Sequence, residues 1–257
     1  MNTVSNITET EKSFFQENGY LIKRKFVDTH MINSLQSKVI EHLQSRVLPF
    51  ELEQEVQYPG SPLTKNEIGG DTIRRLRLAY NRDPIFKQWA ENKKVRMVLK
   101  SLFESDTLYL VQSHHNCIMT KQPQYSSETH WHKDTRYWNF ENNQLINTWL
   151  PLGEETRENG CLQVIPKTHE WKTPEKSLDK LLFLRKDLEE NNTWINQKVY
   201  VELQKGDLLF FHAALFHAAG RNLTDQSKNA VVFTYHSDNN VPIQNSNSVT
   251  HSDVLLD

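Results

Sequence analysis

The chain has 257 residues, 37% hydrophobic and 24% charged, a globular mixture long enough to bury a core and unlike that of a disordered chain. A net charge of −2 argues against an extended basic footprint for nucleic acid. Two cysteines, Cys117 and Cys161, cannot build a disulfide framework, and they fit a reducing cytosol as small buried apolar side chains.

In chain order, the first residues show no basic stretch followed by an apolar one, so no secretory signal is expected. Residues 8–17 read as a short helix, with Thr8 or Thr10 as its cap and Gly19 as its stop signal. Residues 20–25 alternate like a strand. A longer helix over 28–46 follows, with Met31, Leu35, Val39 and Leu43 on one face for packing against a sheet. Residues 47–72 are polar and hold Pro49, Pro59, Pro62 and the Gly69-Gly70 pair, which predicts a long loop near a substrate. The pattern through Trp89, Val95, Val98 and Leu99 predicts a helix over 84–103. From 107 onward short apolar and aromatic runs recur between turns, at 107–112, 116–120, 144–150, 161–165, 199–203, 207–212 and 229–235. That spacing fits an antiparallel sandwich or barrel better than a βαβ sheet. The most apolar stretch, 208–219, carries two histidines and falls short of the roughly 20 residues that cross a bilayer, so no transmembrane segment is expected.

The expected fold class is therefore mainly β with flanking helices, a jelly roll. With no repeat and no linker, the chain reads as one domain over 1–257. Its residues 1–106 are expected to be mostly helical, and 107–236 to form the jelly-roll core with an insertion near 174–197.

His132-Lys133-Asp134 places an imidazole and a carboxylate two residues apart. On a strand, period-two alternation points both to one face, so one ion can take both. His217 is the best third ligand, because it ends the apolar strand read over 208–216 and is followed by the small Ala218-Ala219-Gly220. Two histidines and a carboxylate on one face of an octahedral ion leave three positions open, the arrangement of a non-haem iron facial triad. The same set could serve a zinc-dependent hydrolase, with a metal-bound water as nucleophile. A cupin-like binding module without catalysis is the other alternative.

The segments HWHKDTRYW, LINTWLPLGEETRENGCLQVIPKTHEW and KGDLLFFHAALFHAAGRNLTDQSKNAVVFTYH resemble the phytanoyl-CoA dioxygenase family of iron(II)- and 2-oxoglutarate-dependent oxygenases. The shared pattern is an H-x-D, a later tryptophan, an N-G-C-L-x-x-x-P-x-[ST]-H stretch and a G-D-x-x-F-F-H strand leading to the distal histidine. The resemblance is densest from 112 to 236 and implies a double-stranded β-helix of the cupin type. It also implies a hydroxylase using Fe(II), 2-oxoglutarate and dioxygen, with ascorbate as a reductant. It assigns His132, Asp134 and His217 to the iron, sets Trp149 against 2-oxoglutarate and places Cys117 near it.

Many members bind the far carboxylate of 2-oxoglutarate with an arginine eleven residues past the distal histidine; here that position is Lys228, which lacks the bidentate fork. A hydroxyl residue often lies two places past the same histidine, where this chain has Ala219. Arg74 or Arg75 fills the region of a further basic residue that assists the cosubstrate. The wording around the H-x-D and the V-F-T-Y-H-S-D-N-N-x-P ending look most like bacterial members, among them Kdo 3-hydroxylases acting on the lipopolysaccharide core sugar Kdo. That branch implies a small-molecule or lipid-linked sugar substrate and a cytoplasmic place, peripheral to the inner membrane. Sequence leaves the oligomeric state open.

The remaining histidines have plainer expected roles. His130 lacks a carboxylate two residues on and reads as structural; His212, five residues before His217, reads as a satisfied core histidine; His169 braces a loop. His114 or His115 is expected to line the pocket. Asn159-Gly160 reads as a tight turn. Arg136, Tyr137 and Trp138 either pack at the sheet rim or form a platform for a sugar, and Lys228 by composition alone would be a solvated surface lysine.

Overall fold

The computed structural model describes residues 7–256 apart from 57, 59, 60 and 124; residues 1–6 and Pro59, both used in the sequence reading, lie outside the described residues. Helix α1 (Glu9–Asn18) starts at Thr8 rather than Thr10. The Thr8 hydroxyl accepts from the Glu11 N–H at 3.2 Å, and the Glu11 carboxylate accepts from the Thr8 N–H at 2.9 Å, a reciprocal cap. The helix stops where Gly19 turns left-handed at φ 77° and its N–H reaches Phe15 O. A Cβ at Gly19 would lie 2.5 Å from His169 Nδ1 and 2.9 Å from Leu215 Cδ1. Strain and clash therefore act together, and Gly19→Ala is expected to lower stability by more than about 1 kcal/mol, read as a fall in melting temperature.

Strand β1 (Tyr20–Lys23) and helix α2 (Thr29–Gln44) follow as the sequence indicates. The stretch read as a loop over 47–72 is only partly one, because β2 (Phe50–Leu52) lies inside it and pairs with β3 (Ile73–Arg77). Both strands lie in the part expected to be mostly helical. β2 is only three residues long and β3 is mostly arginine, so alternation had little to register. The helix expected over 84–103 is two helices, α3 (Pro84–Ala90) and α4 (Lys93–Phe103). The Asn92 side chain accepts from the Lys94 and Val95 N–H groups and so caps a new start, the preference that makes Asn an interrupter.

The strands then run β4 (Leu108–Leu110), β5 (Asn116–Lys121), β6 (Thr129–His132), β7 (Ile146–Pro151) and β8 (Leu162–Val164). The expected insertion holds a short helix, α5 (Glu189–Ile195), before β9 (Val199–Tyr200), β10 (Leu208–His212), β11 (His217–Ala219), β12 (Lys228–Ser237) and β13 (Val254–Leu256). Every pairing among these strands is antiparallel. The larger sheet runs β1-β10-β7-β12-β5-β3-β2, with β4 joining β12 to β13; the smaller runs β6-β11-β8-β9. The fold is a double-stranded β-helix with helices on one outer face.

Period-two alternation divides the larger sheet between two cores. On β10 and β12, Leu208, Phe210, Val231, Phe233 and Tyr235 face out to Leu35, Val39, Trp89 and Leu99 of the helices. Leu209, Phe211, Ala230 and Val232 face in, against Leu162, Val164 and Ala219 of the smaller sheet. Burial on both faces explains why these strands read as nearly continuous apolar runs. The inner layer is not filled. Toward β3 and β5 it opens into the cavity that holds the site.

Candidate metal centre

His132 and His217 meet because they are register partners on neighbouring antiparallel strands, β6 and β11, with ring centroids 4.3 Å apart. This corrects the reading that His217 ends the strand begun at Leu208. β10 stops at His212, the chain crosses to the other sheet through 213–216, and His217 opens β11. Asp134 is not on a strand either. It starts a 3₁₀ turn over Asp134–Tyr137, and its N–H donates to Ala213 O at 2.8 Å. The crossing segment thus pins the carboxylate beside the two imidazoles, and alternation along β6 is not the cause.

Asp134 Oδ1 lies 3.4 Å from both His132 Nε2 and His217 Nε2, and the three donor groups fall within 4.8 Å of one another, all buried. Each histidine turns its Nδ1 to an acceptor-only carbonyl, His132 to His130 O at 2.8 Å and His217 to Leu215 O at 3.0 Å. Those contacts place the ring protons on Nδ1 and leave both Nε2 lone pairs facing the centre. On the other side Asp134 Oδ2 accepts from Asn147 Nδ2 at 2.8 Å, and Thr234 in turn donates to Asn147 Oδ1. His115 Nδ1 stands 3.3 Å from the same oxygen.

Asp134 Oδ1 is buried with no hydrogen-bond partner. A buried, ionised oxygen left bare is costly, unless an ion takes it. Three donors at these spacings can be bridged by one ion bonded at about 2.0–2.2 Å to each, so the residues fit a divalent metal. The electrostatics agree. Burial would raise the Asp134 pKa, but the imidazoles of His115 and His217 hold it well below the usual carboxylate range. Burial, helped by His217, pushes His132 down to about 4, whereas Asp134 outweighs burial and raises His217.

A cavity of about 260 Å³ opens from the triad between the sheets. It is lined by all the residues expected around the cosubstrate: Cys117, Trp149, Lys228 and both Arg74 and Arg75. The two arginines share the cavity because the β2–β3 register slips by one between Glu51↔Arg75 and Leu52↔Ile73, leaving Arg74 as the extra residue of a bulge. Arg74 Nη1 donates to Ser127 Oγ at 2.6 Å and Nη2 to Thr129 Oγ1 at 3.0 Å; Arg75 Nη2 donates to Glu51 at 2.6 Å. Lys228 is not a surface lysine. It is buried and donates to Glu155 Oε2 and Gly160 O, each at 2.8 Å. Glu155 Oε1 accepts from Trp149 Nε1 at 2.8 Å, so one buried carboxylate orients both. Burial pushes the Cys117 thiol up to about 11, which makes it an inert wall rather than a ligand.

The plainer readings can be placed as well. His114 and His115 both line the cavity. His212 is buried, accepts from the Ala214 N–H at 3.0 Å and is held near 3 by burial, a satisfied core histidine. His169 Nε2 contacts Gln16 O and braces its loop against α1. His130 is not in the metal group. Gly160 alone in its turn is left-handed, with its Cα packed against the 220–221 backbone. Trp138 packs in a small core with Val111 and Phe140, while Tyr137 lines the cavity and bonds Tyr58 through paired hydroxyls 3.1 Å apart. Sequence reasoning missed Asn147, Glu155, Lys121 and Tyr58. A polar residue within an otherwise apolar buried strand was the available signal for Asn147.

Comparisons with known proteins point the same way. Residues 15–230 match the family model described as phytanoyl-CoA dioxygenase (PhyH). A probable phytanoyl-CoA dioxygenase of Caenorhabditis elegans is 24% identical over 245 residues, covering 91% of this chain and 77% of that protein. The peroxisomal phytanoyl-CoA dioxygenase of Homo sapiens is 24% identical over 238 residues, covering 88% and 67%. Among solved structures, the non-heme alpha ketoglutarate dependent carbocyclase SnoK from nogalamycin biosynthesis superposes with TM-score 0.75 at 17% identity, covering 100% of this chain and 99% of its own. EctD from S. alaskensis with 2-oxoglutarate and 5-hydroxyectoine gives TM-score 0.72 at 20% identity, covering 92% and 78%.

Proposed function

The chain belongs to the phytanoyl-CoA dioxygenase family and is an iron- and 2-oxoglutarate-dependent dioxygenase, and from that premise we propose that it hydroxylates a small polar substrate, the acidic sugar Kdo or a lipid carrying it. His132, Asp134 and His217 are the residues that would hold the metal, and the observation that carries the reading is the bare, buried Asp134 Oδ1 facing two free imidazole nitrogens. Iron(II) bound there would supply, with 2-oxoglutarate and dioxygen, the oxidising power that inserts a hydroxyl into a C–H bond and leaves succinate and carbon dioxide.

The protein's own residues set the rest. Asn147 and His115 flank the outer oxygen of Asp134 and fix which oxygen faces the ion. Trp149, oriented by Glu155, forms a rigid cavity wall with Cys117 and Val232. At the other side Tyr58, Tyr137, His114, His115 and Arg75 line the space a substrate would fill. Phe183 of the insertion closes over this side, 5.8 Å from the His132 ring and 5.4 Å from Tyr58, and so shields the site from water.

Support for a polar, anionic substrate comes from polar atoms left without partners at or near the cavity. Arg75 Nε and His114 Nε2, on two lining residues, are buried without hydrogen-bond partners, as is Arg136 Nη1, whose guanidinium lies 4.3 Å over the Phe183 ring. A carboxylate-bearing sugar would use such donors, whereas a long acyl chain would leave them bare. A cytoplasmic place, peripheral to the inner membrane, follows from such a substrate. Among the described residues, no helix is long and apolar enough to cross a membrane.

Two measurements test the reading. Anaerobic addition of iron(II) and then 2-oxoglutarate is expected to give the weak visible charge-transfer band of a chelated metal, lost in Asp134→Ala with His217→Ala. A missing band in the wild type, or its survival in the double variant, would refute the metal assignment. Kdo-terminated lipid A precursors should then stimulate succinate release and gain one oxygen by mass; turnover of acyl-CoA thioesters alone would refute the substrate class.

A further inference from the structure

The position eleven residues past His217 is lysine, and its charge is already spent. Lys228 is buried against Glu155, a carboxylate with no exposed surface, at 2.8 Å. Directly opposite Lys228 in the β12–β5 register stands Lys121, on the same strand face as Cys117 and Met119 and lining the same cavity. Lys121 is 8% exposed, yet among the described residues no carboxylate pairs with it, and its ammonium donates only to Ser127 O at 2.9 Å. Two of its three N–H bonds remain for a ligand.

The charges around the cavity make the same point. Arg75 pairs with Glu51 at 2.6 Å, Arg74 lies 3.5 Å from Glu53, and Lys228 pairs with Glu155. Leaving the metal triad with its Asp134 aside, Lys121 in its protonated form makes four cations against three carboxylates, a surplus of one positive charge for a bound anion. A 2-oxoacid dianion spends one negative charge at the metal and needs one positive charge for its far end. The missing hydroxyl at Ala219 has a substitute too. Thr129 is the register partner of Ala219 across β6–β11, and its Oγ1 is held by Arg74, which also grips the Ser127 that receives Lys121. From His217 to Ala219 is one strand repeat, roughly 6.6–6.8 Å, the reach of a five-carbon chain.

We propose that Lys121, with the Thr129 hydroxyl across the cavity, binds the far carboxylate of the 2-oxoacid, and that Lys228 serves as the fixed counter-ion of Glu155. The assignment rests on the oxygenase reading above. Burial and the flanking charges of Arg74 on β3 and Lys228 on β12 hold the Lys121 pKa well below that of an ordinary lysine, against the opposing pull of Glu53 and Glu155. A carboxylate arriving beside it raises that pKa again, so binding draws in a proton.

The test is anaerobic calorimetric titration of the iron(II)-loaded protein with 2-oxoglutarate and with 2-oxopentanoate, which has the same chain without the far carboxylate. Each titration is run in two buffers of different ionisation heat. The wild type is expected to prefer 2-oxoglutarate and to take up protons with it alone. Lys121→Met should weaken 2-oxoglutarate about 10- to 100-fold, the worth of a charge-assisted contact, and leave 2-oxopentanoate unchanged. Lys121→Arg, which keeps the volume and a permanent charge, should keep the preference and lose the proton uptake. The double variant Lys228→Met with Glu155→Gln should keep the preference, because Lys121 stays in place and the Gln amide oxygen can still accept from Trp149 Nε1. Preference that survives Lys121→Met, or that disappears with the Lys228–Glu155 pair, overturns the assignment while the oxygenase reading stands. A wild type that binds neither 2-oxoacid overturns both.

Discussion

Asp134→Ala is expected to abolish the rise in melting temperature that divalent metal gives the wild-type protein. A ligand that binds only the folded state stabilises it by about 2.7 kcal/mol at a hundred times its dissociation constant, so the wild-type shift is large enough to read. In the variant the two imidazoles remain, but the only anionic donor of the set is gone, and with it the oxygen that lies 3.4 Å from each Nε2. Loss of an outer partner of a metal ligand costs roughly 10–100-fold in metal affinity. Asn147→Ala, which strips the 2.8 Å bond from Asp134 Oδ2, should fall in that range, and Asp134→Ala beyond it. His212→Gln supplies the control, since His212 is buried but turned away from the triad toward His169. Its metal-free protein melts lower, yet its metal-induced shift should persist. A shift that survives Asp134→Ala would mean that the ion sits elsewhere.

The three candidate ligands were legible because their chemistry is written in residues whose grouping survives any detail of the turn. The geometric reason behind them was not. Alternation along a strand was expected to align His132 with Asp134, yet the backbone leaves the strand at His132 and a bond from Asp134 to Ala213 performs the alignment. Likewise, one continuous strand to His217 was expected where the chain changes sheets after His212. Ala213 and Ala214 look like strand residues by hydropathy, and only the tertiary crossing shows why they are small. β2 and β3 escaped for a related reason. Each is short, and β3 is mostly arginine, so neither shows an apolar period. The bulge that sends both Arg74 and Arg75 into the cavity depends on pairing between strands twenty residues apart in sequence, and no local pattern encodes it. Lys121 and Glu155 were invisible for the opposite reason. A lysine and a glutamate in isolation read as solvated surface, and only the fold reveals that both are buried.

Lys228→Met is expected to lower the melting temperature by roughly 6–20 °C, as follows from about 3–5 kcal/mol for breaking a buried pair and 2–4 °C per kcal/mol at this size. The cost is not the lost attraction alone. Glu155 would be left with no exposed surface and no cation at 2.8 Å, still tied to Trp149, and Gly160 O would lose its donor. Adding Glu155→Gln to the same chain removes the stranded charge while its amide oxygen can still accept from Trp149 Nε1. The double variant should therefore recover most of the loss, the mark of a pair whose two charges matter chiefly to each other. A single variant that melts within about 2 °C of the wild type would show that Glu155 finds another cation. Lys121, directly across the sheet, is the nearest candidate in register. In that event 2-oxoglutarate should bind weakly to the single variant and normally to the double one, because a Lys121 captured by Glu155 is no longer available to the cosubstrate. Stability and binding thus read the same buried carboxylate from opposite sides.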